Sequence, residues 1–315
     1  MEKTFRAMNT EVTVIIDDVP EQLDWADQVQ QLFQVMEATA SRFSVDSELS
    51  RLNNAPIGNP YMLTEQLYDL FAYAWKCTLQ SDFKFNPLIG SVLNRIGYDR
   101  SFEKIERVDS VLDSTYHYGN AQLSERFDFD VLSFSDDLRS VTKHKQVNVD
   151  LGGIGKGWTV DLAYRLLQDD LQVQQGAIDA GGDMRVWSNA IPWQVGIQHP
   201  TDEDQEVIQL WIKEGAIATS NVMHRRWIHH GNLYHHIIDG QTMQVANSDI
   251  VQATVLAPST AQAEVVSKVI CMLEASEVNN WVSSHFEGVG YIFITKSGEI
   301  KLNRDVKNYV EELNW

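Results

Sequence analysis

Residues 10 to 17, TEVTVIID, alternate apolar and polar side chains with the period of a half-buried strand. Between 21 and 40 the period lengthens: Leu23, Ala26, Val29, Leu32, Phe33 and Met36 fall on one helical face. The chain therefore opens with a strand followed by a long helix. SRFSVDSELSRLNNAPIGNP, 41 to 60, keeps neither period and reads as a polar, turn-rich loop. A helical stripe returns at 64 to 81, with Thr64 placed as its N-cap. From about 109 to 149, short β-rich runs such as FDFDVLSFS and KQVNVDL predict hairpins.

The second half is mixed and sheet-rich. A helix is expected at about 157 to 169, then the strand QGAIDA, a turn GGD at 181 to 183, and the strands MRVWS and WQVGIQ. RRWIHH and LYHHIID flank Gly231-Asn232, a pair suited to a two-residue turn, so these runs are expected to pair antiparallel. QATVLA predicts a strand. PSTAQAEVVSKVICMLEA predicts a helix, with Ser259 and Gln262 in capping-box spacing and Ala261, Val265, Val269 and Met272 along one face. GVGYIFITKSG closes with a strand. With no repeat, low-complexity tract or linker, the pattern reads as one α+β domain over 1–315, two lobes being a variant of the same reading.

Composition narrows the partners. Lys and Arg number 25 against 44 Asp and Glu, a formal charge of −19, so a nucleic-acid or anionic-membrane surface is not expected. A small phosphorylated ligand remains compatible, given a local device such as a helix N-terminus, a lysine or a cation. Cys77 and Cys271 form neither a disulfide framework nor a zinc pattern, which points to a reducing compartment. The N-terminal run lacks an apolar signal core, so a cytoplasmic protein is expected.

One stretch invites a ligand: DLGGIGKG, 150 to 157. It is not a P-loop, because Asp150 and Gly157 stand where that motif needs Gly and Ser or Thr. Nor is it a dinucleotide fingerprint, which lacks its last glycine here. What remains is physical: four glycines allow close backbone approach, Lys156 brings charge, and a helix follows. A phosphate cradle and a flexible strand-to-helix connection both fit.

With its neighbours the loop resembles the ApbE family of FAD:protein FMN transferases. Met8-Asn9-Thr10 resembles that family's Met-Gly-Thr, and SRFSVDSELSRLN at 41 to 53 its Ser-Arg-Phe…Ser-Glu-Leu-Ser-Arg-Leu-Asn block. FNPLIG at 85 to 90, DLGGIGKG, DAGGD at 179 to 183, WQVGIQHP, Ala218-Thr219-Ser220 and His236-Ile-Ile-Asp239…Thr242 follow in the family's order. The resemblance implies an α+β fold of mixed and antiparallel sheets with flanking helices, in two lobes around an FAD cleft. It also implies transfer of the FMN half of FAD to a Thr or Ser hydroxyl of a target flavoprotein, with release of AMP. FAD contacts would fall on Met8, Phe43, Lys84, Phe85, Asn86, Asp150, Lys156 and Ile238. Read without the family, Met8, Phe43 and Asp150 are rather a core Met, a core Phe and a strand-end carboxylate.

His236 would be the catalytic base, with Asp239 and Thr242 near enough in sequence to orient it or a phosphate. Five of the nine histidines lie between 224 and 236, but adjacent His235 and His236 on a strand face opposite ways and are poorly arranged to chelate one ion. The resemblance further implies magnesium, held by the backbone at Gly153 and by two side chains four residues apart. Those places hold Glu264 and Lys268 here. A charged lysine has no lone pair to give. Glu264 and Lys268 thus read either as a plain i,i+4 ion pair or as an ammonium standing where the cation belongs. The alternatives to transfer are an FAD-binding protein without catalysis and a metal-dependent FAD pyrophosphatase.

Overall fold

The computed structural model describes residues 1–17, 24–106, 119 and 129–315. In chain order its strands begin with β1 (Glu2–Ala7), β2 (Thr10–Ile16), β3 (Pro60–Met62), β4 (Leu132–Ser135), β5 (Ser140–Lys143), β6 (Gln175–Ala180), β7 (Asp183–Ser188), β8 (Trp193–His199) and β9 (Asp202–Ile212). They continue with β10 (Glu214–Asn221), β11 (Arg226–His229), β12 (Asn232–His235), β13 (Ile238–Asp239), β14 (Gln244–Val245), β15 (Ile250–Ala257), β16 (Gly290–Thr295), β17 (Ile300–Leu302) and β18 (Val310–Asn314). The α-helices are α1 (Trp25–Ala40), α2 (Glu48–Asn54), α3 (Glu65–Gln80), α4 (Gly90–Arg95), α5 (Gly155–Arg165), α6 (Thr260–Ile270) and α7 (Val278–His285).

Two units divide the chain. The first comprises Met1–Gln34, Lys156–His224 and Ser248–Trp315, and the second Val35–Gly155 and Arg225–Asn247. The first unit is built on an antiparallel eight-stranded sheet in the order β1-β2-β6-β7-β10-β15-β16-β17. β2 keeps the alternation its sequence shows, with Val12, Val14 and Ile16 buried. β15 and β16 lie inside the sheet and are buried along their whole length, Gln252, Thr254 and Thr295 included. One face carries a core of Phe5, Val29, Phe33, Val160, Ala163 and Leu167, which joins α1 and α5 to the sheet. The three-stranded sheet β18-β9-β8 covers another core around Val186, Ile197, Leu210 and Ile217. In the second unit, Trp227, Tyr234, Ile238 and Val245 pack with Val92, Leu93 and Phe102.

Several expectations need correction. The polar stretch 41 to 60 contains α2, because Ser47 caps it by accepting the Ser50 N–H at 2.9 Å and Leu49 and Leu52 are buried. Its seven residues hold too few apolar positions to display a period. Thr64 does precede α3, but its hydroxyl donates to Glu48 at 2.6 Å and makes no cap bond. KQVNVDL is not a strand: the pairing partners are β4 and β5 just before it, and the Val149 N–H is taken by the Asn53 side chain at 2.7 Å. The hairpin expectation between 109 and 128, apart from 119, lies outside the described residues.

The β11–β12 hairpin forms, one residue out of the expected turn. His229 pairs with Asn232, so His230 and Gly231 make the turn, at φ 49° and 78°. Two positive φ values are what a type I′ turn requires. α5 starts two residues before 157 and ends in a single π turn over Leu166–Asp170. Among the described residues no helix is long and apolar enough to cross a membrane.

Candidate functional site

In the first unit, α5 and α6 bring charged side chains together at their N-terminal and middle turns. Gly157 is what allows the approach: a Cβ there would stand 2.6 Å from the Thr260 carbonyl oxygen. Asp161, one turn into α5, accepts the backbone N–H groups of Thr260 and Ala261 at 2.8 and 2.9 Å and fixes the start of α6. Ser259 adds the expected N-cap bond to Gln262.

Glu264 is held fully buried by this packing, 0% exposed. Its Oε1 receives the ammonium groups of Lys156 at 3.0 Å and Lys268 at 3.1 Å, and its Oε2 receives the Gly157 N–H at 2.8 Å. Lys156 also donates to Asp183, at the first residue of β7. Two buried carboxylates thus face two ammonium groups. For Asp183, burial and then the charge of Glu264 raise the carboxyl to about 6 against the pull of Lys156 and Lys268. For Glu264, burial works in the same upward direction, but both ammoniums and the Gly157 N–H prevail and hold it below the usual carboxylate range.

Met8 and Asn9 form the two-residue turn between β1 and β2, at φ 52° and 59°, and Met8 packs at the margin of the unit's core. Thr10 beside them lies against Gly181, where a Cβ would meet its Oγ1 at 2.1 Å. The DAGGD turn and the Met8 hairpin are therefore one neighbourhood on adjacent strands.

The second unit holds two further clusters. Arg42 donates to Asp150, to Asn94 Oδ1 at 2.8 Å and to the Tyr98 carbonyl at 2.5 Å. Its guanidinium lies 4.2 Å from the Phe43 ring centroid. Asp150 in turn accepts the Gly152 N–H at 2.9 Å, so this carboxylate folds the start of the glycine loop. Gly153 is a partly exposed turn residue. In the other cluster Lys84 pairs with Asp239 at 3.0 Å, and Asp239 also accepts the N–H groups of Gln241 and Thr242 at 2.9 and 3.1 Å. Buried Asn86 uses its oxygen to cap Leu88 and its amide to reach the Gly240 carbonyl at 3.4 Å. Gly240 is required there, because a Cβ would sit 2.4 Å from the Phe83 carbonyl oxygen.

Phe85 and Ile238 are buried, Ile238 inside the apolar cluster. Thr242 is exposed and His236 half-buried. Neighbouring His235 is buried, with Nε2 2.9 Å from the Ala246 carbonyl and Nδ1 accepting the Ile237 N–H at 3.2 Å. Both of its ring nitrogens serve the local fold, and among the described residues no group of three or more His, Cys, Asp and Glu is set to hold a metal ion.

A magnesium ion needs several oxygen donors with lone pairs to spare, in near-octahedral geometry. Glu264 has both oxygens engaged by N–H donors, and the next position on that helix face is an ammonium. These residues do not fit the ion.

The sequence reading set Glu264 and Lys268 four apart as a pair, but it did not join Lys156 to them and it omitted Asp183 and Arg42. Both stand inside quoted motifs, DAGGD and SRF, but what marks them is a buried ion-pair partner, which only the tertiary structure supplies.

The crystal structure of the ApbE protein from Thermotoga maritima superimposes on this chain with a TM-score of 0.81 over 99% of each chain, at 23% identity. The fold is therefore that of ApbE proteins. The ApbE family model matches residues 8–293, and the chain belongs to that family. Its relatives include the FAD:protein FMN transferase of Escherichia coli K12, 24% identical over 268 residues, which cover 82% of this chain and 73% of the relative. The FAD:protein FMN transferase of Treponema pallidum is 24% identical over 302 residues, 91% of this chain and 82% of the relative.

Proposed function

We propose that the chain is an FAD:protein FMN transferase, moving the FMN half of FAD onto a Thr or Ser hydroxyl of a flavoprotein and releasing AMP. The observation that carries this reading is the extent of the family match, 8–293, which takes in every residue from Met8 to Lys268 named above. One match running through both units also supports a single functional domain over 1–315. The cytoplasm is the proposed compartment, in keeping with two buried cysteines that are not paired with each other.

In the proposed reaction the acceptor hydroxyl oxygen attacks the FMN-side phosphorus of FAD. A phosphoester bond forms as the pyrophosphate bond to AMP breaks. His236 takes the hydroxyl proton, and AMP leaves with the electron pair of the broken bond. Lys84, anchored on Asp239, brings a cation to the segment that follows His236 and would counter phosphate charge there. Phe43, stiffened by Arg42, offers an aromatic face for a flavin or adenine ring. No step of this scheme is routed through magnesium, since both Glu264 oxygens are engaged by N–H donors.

Incubation with FAD and an acceptor flavoprotein should give covalent flavin on the acceptor and stoichiometric AMP. His236→Ala should slow the transfer by about 10²-fold or more. FAD recovered intact under every condition would instead support a binding protein without catalysis, the reading that the engaged Glu264 favours. Free FMN formed without acceptor would mark a pyrophosphatase.

A further inference from the structure

Lys268 projects from the last turn of α6 onto Glu264, and its side chain is 14% exposed. An ammonium has three N–H donors, and Lys268 gives one of them to Glu264 Oε1 at 3.1 Å. Its stem runs along a helix whose neighbouring positions are buried, so the charge is placed by packing as well as by the ion pair. The same carboxylate oxygen already holds Lys156, and the other oxygen holds Gly157 N–H. A divalent ion arriving at Glu264 would have to displace these donors and face two positive charges at close range. Like charges so juxtaposed repel and weaken binding.

We propose that the Lys268 ammonium is the fixed cation of this cluster: it bars a divalent metal from Glu264 and turns its remaining N–H donors to the pyrophosphate of FAD. The identity of the anion rests on the transferase reading; the exclusion of metal does not. A lysine is a point charge on a stem and neutralises one phosphate oxygen at a time, so this protein binds FAD without a metal bridge.

Electron paramagnetic resonance with manganese as the metal probe tests the exclusion. Wild type should leave manganese unbound with or without FAD, and its FAD affinity should agree within about twofold between EDTA and excess magnesium. Lys268→Thr, which removes the charge and supplies an oxygen, should bind manganese at least about tenfold more tightly than wild type, since a like-charge clash is relieved. Lys268→Arg should behave as wild type toward manganese. One manganese ion bound per wild-type chain would overturn the proposal, and so would a folded Lys268→Thr that gains no affinity for it. If the threonine variant does not fold, the wild-type and Lys268→Arg titrations decide alone. Absence of FAD binding in all proteins would refute the transferase reading, while the manganese result would still decide what Lys268 excludes.

Discussion

Lys156 is a structural counter-ion as well as a residue of a glycine loop. Replacing it by Met leaves Asp183 buried beside Glu264 without its cation. Breaking a buried pair from one side costs about 3–5 kcal/mol, so Lys156→Met should lower the urea midpoint by a corresponding amount. An unchanged midpoint would mean that water or rearrangement replaces the ammonium. The two cysteines allow a pH prediction. Burial pushes both thiols up to about 12, above the ordinary value of 9. A raised folded-state value contributes stability that is complete below 9 and lost as pH climbs toward 12. Near pH 8 neither thiol should react with iodoacetamide faster than the chain unfolds, and mass spectrometry of the native and urea-treated protein checks this. At this scale the sequence is most legible within a helix, where Glu264 and Lys268 stand four apart and meet as expected. Asp183 was illegible, since nothing local tells an aspartate after two glycines that it will lose its water.

Elements formed largely where a period or a cap was written, and failed to follow the pattern where the backbone was satisfied by distant side chains. The β11–β12 turn shows the finer limit: Gly231-Asn232 is a good turn pair, yet register places His230-Gly231 at the tip. His230 therefore adopts φ 49°, which Asn tolerates better. His230→Asn should stabilise the protein by a few tenths of a kcal/mol, about 0.5, and Gly231→Ala should destabilise it by about 1. Open space around Gly231 means that the alanine penalty is conformational alone. At α6, Ser259→Ala should cost about 1 kcal/mol through the lost cap. Asp161→Ala should cost more, about 2 kcal/mol, because two backbone donors lose a charged acceptor. Thermal unfolding of the variants ranks them, and an Asp161→Ala variant that loses nothing would mean that Ser259 alone holds the helix start.

Over the whole molecule, FAD binding should raise stability by about 2.7 kcal/mol at a hundredfold excess over Kd, read as an increase in Tm. A net charge of −19 predicts at the same time that DNA competes for no part of this surface. Sequence by itself determined the alternation that makes β2 a strand, the stripe that makes α1 a helix, the acidity that argues against a nucleic-acid partner, and the order of motifs by which the family is recognised. These are properties of neighbours along the chain, where period, propensity and charge act over a few residues. Tertiary structure alone decided that Lys156 meets Asp183 across 27 residues and Glu264 across 108. It likewise decided that Arg42 fastens Asp150 across the same 108. The Lys156 pairings exist only once the eight-stranded sheet and the helices packed on it have removed water from the charges, and desolvation then selects the partner each must have.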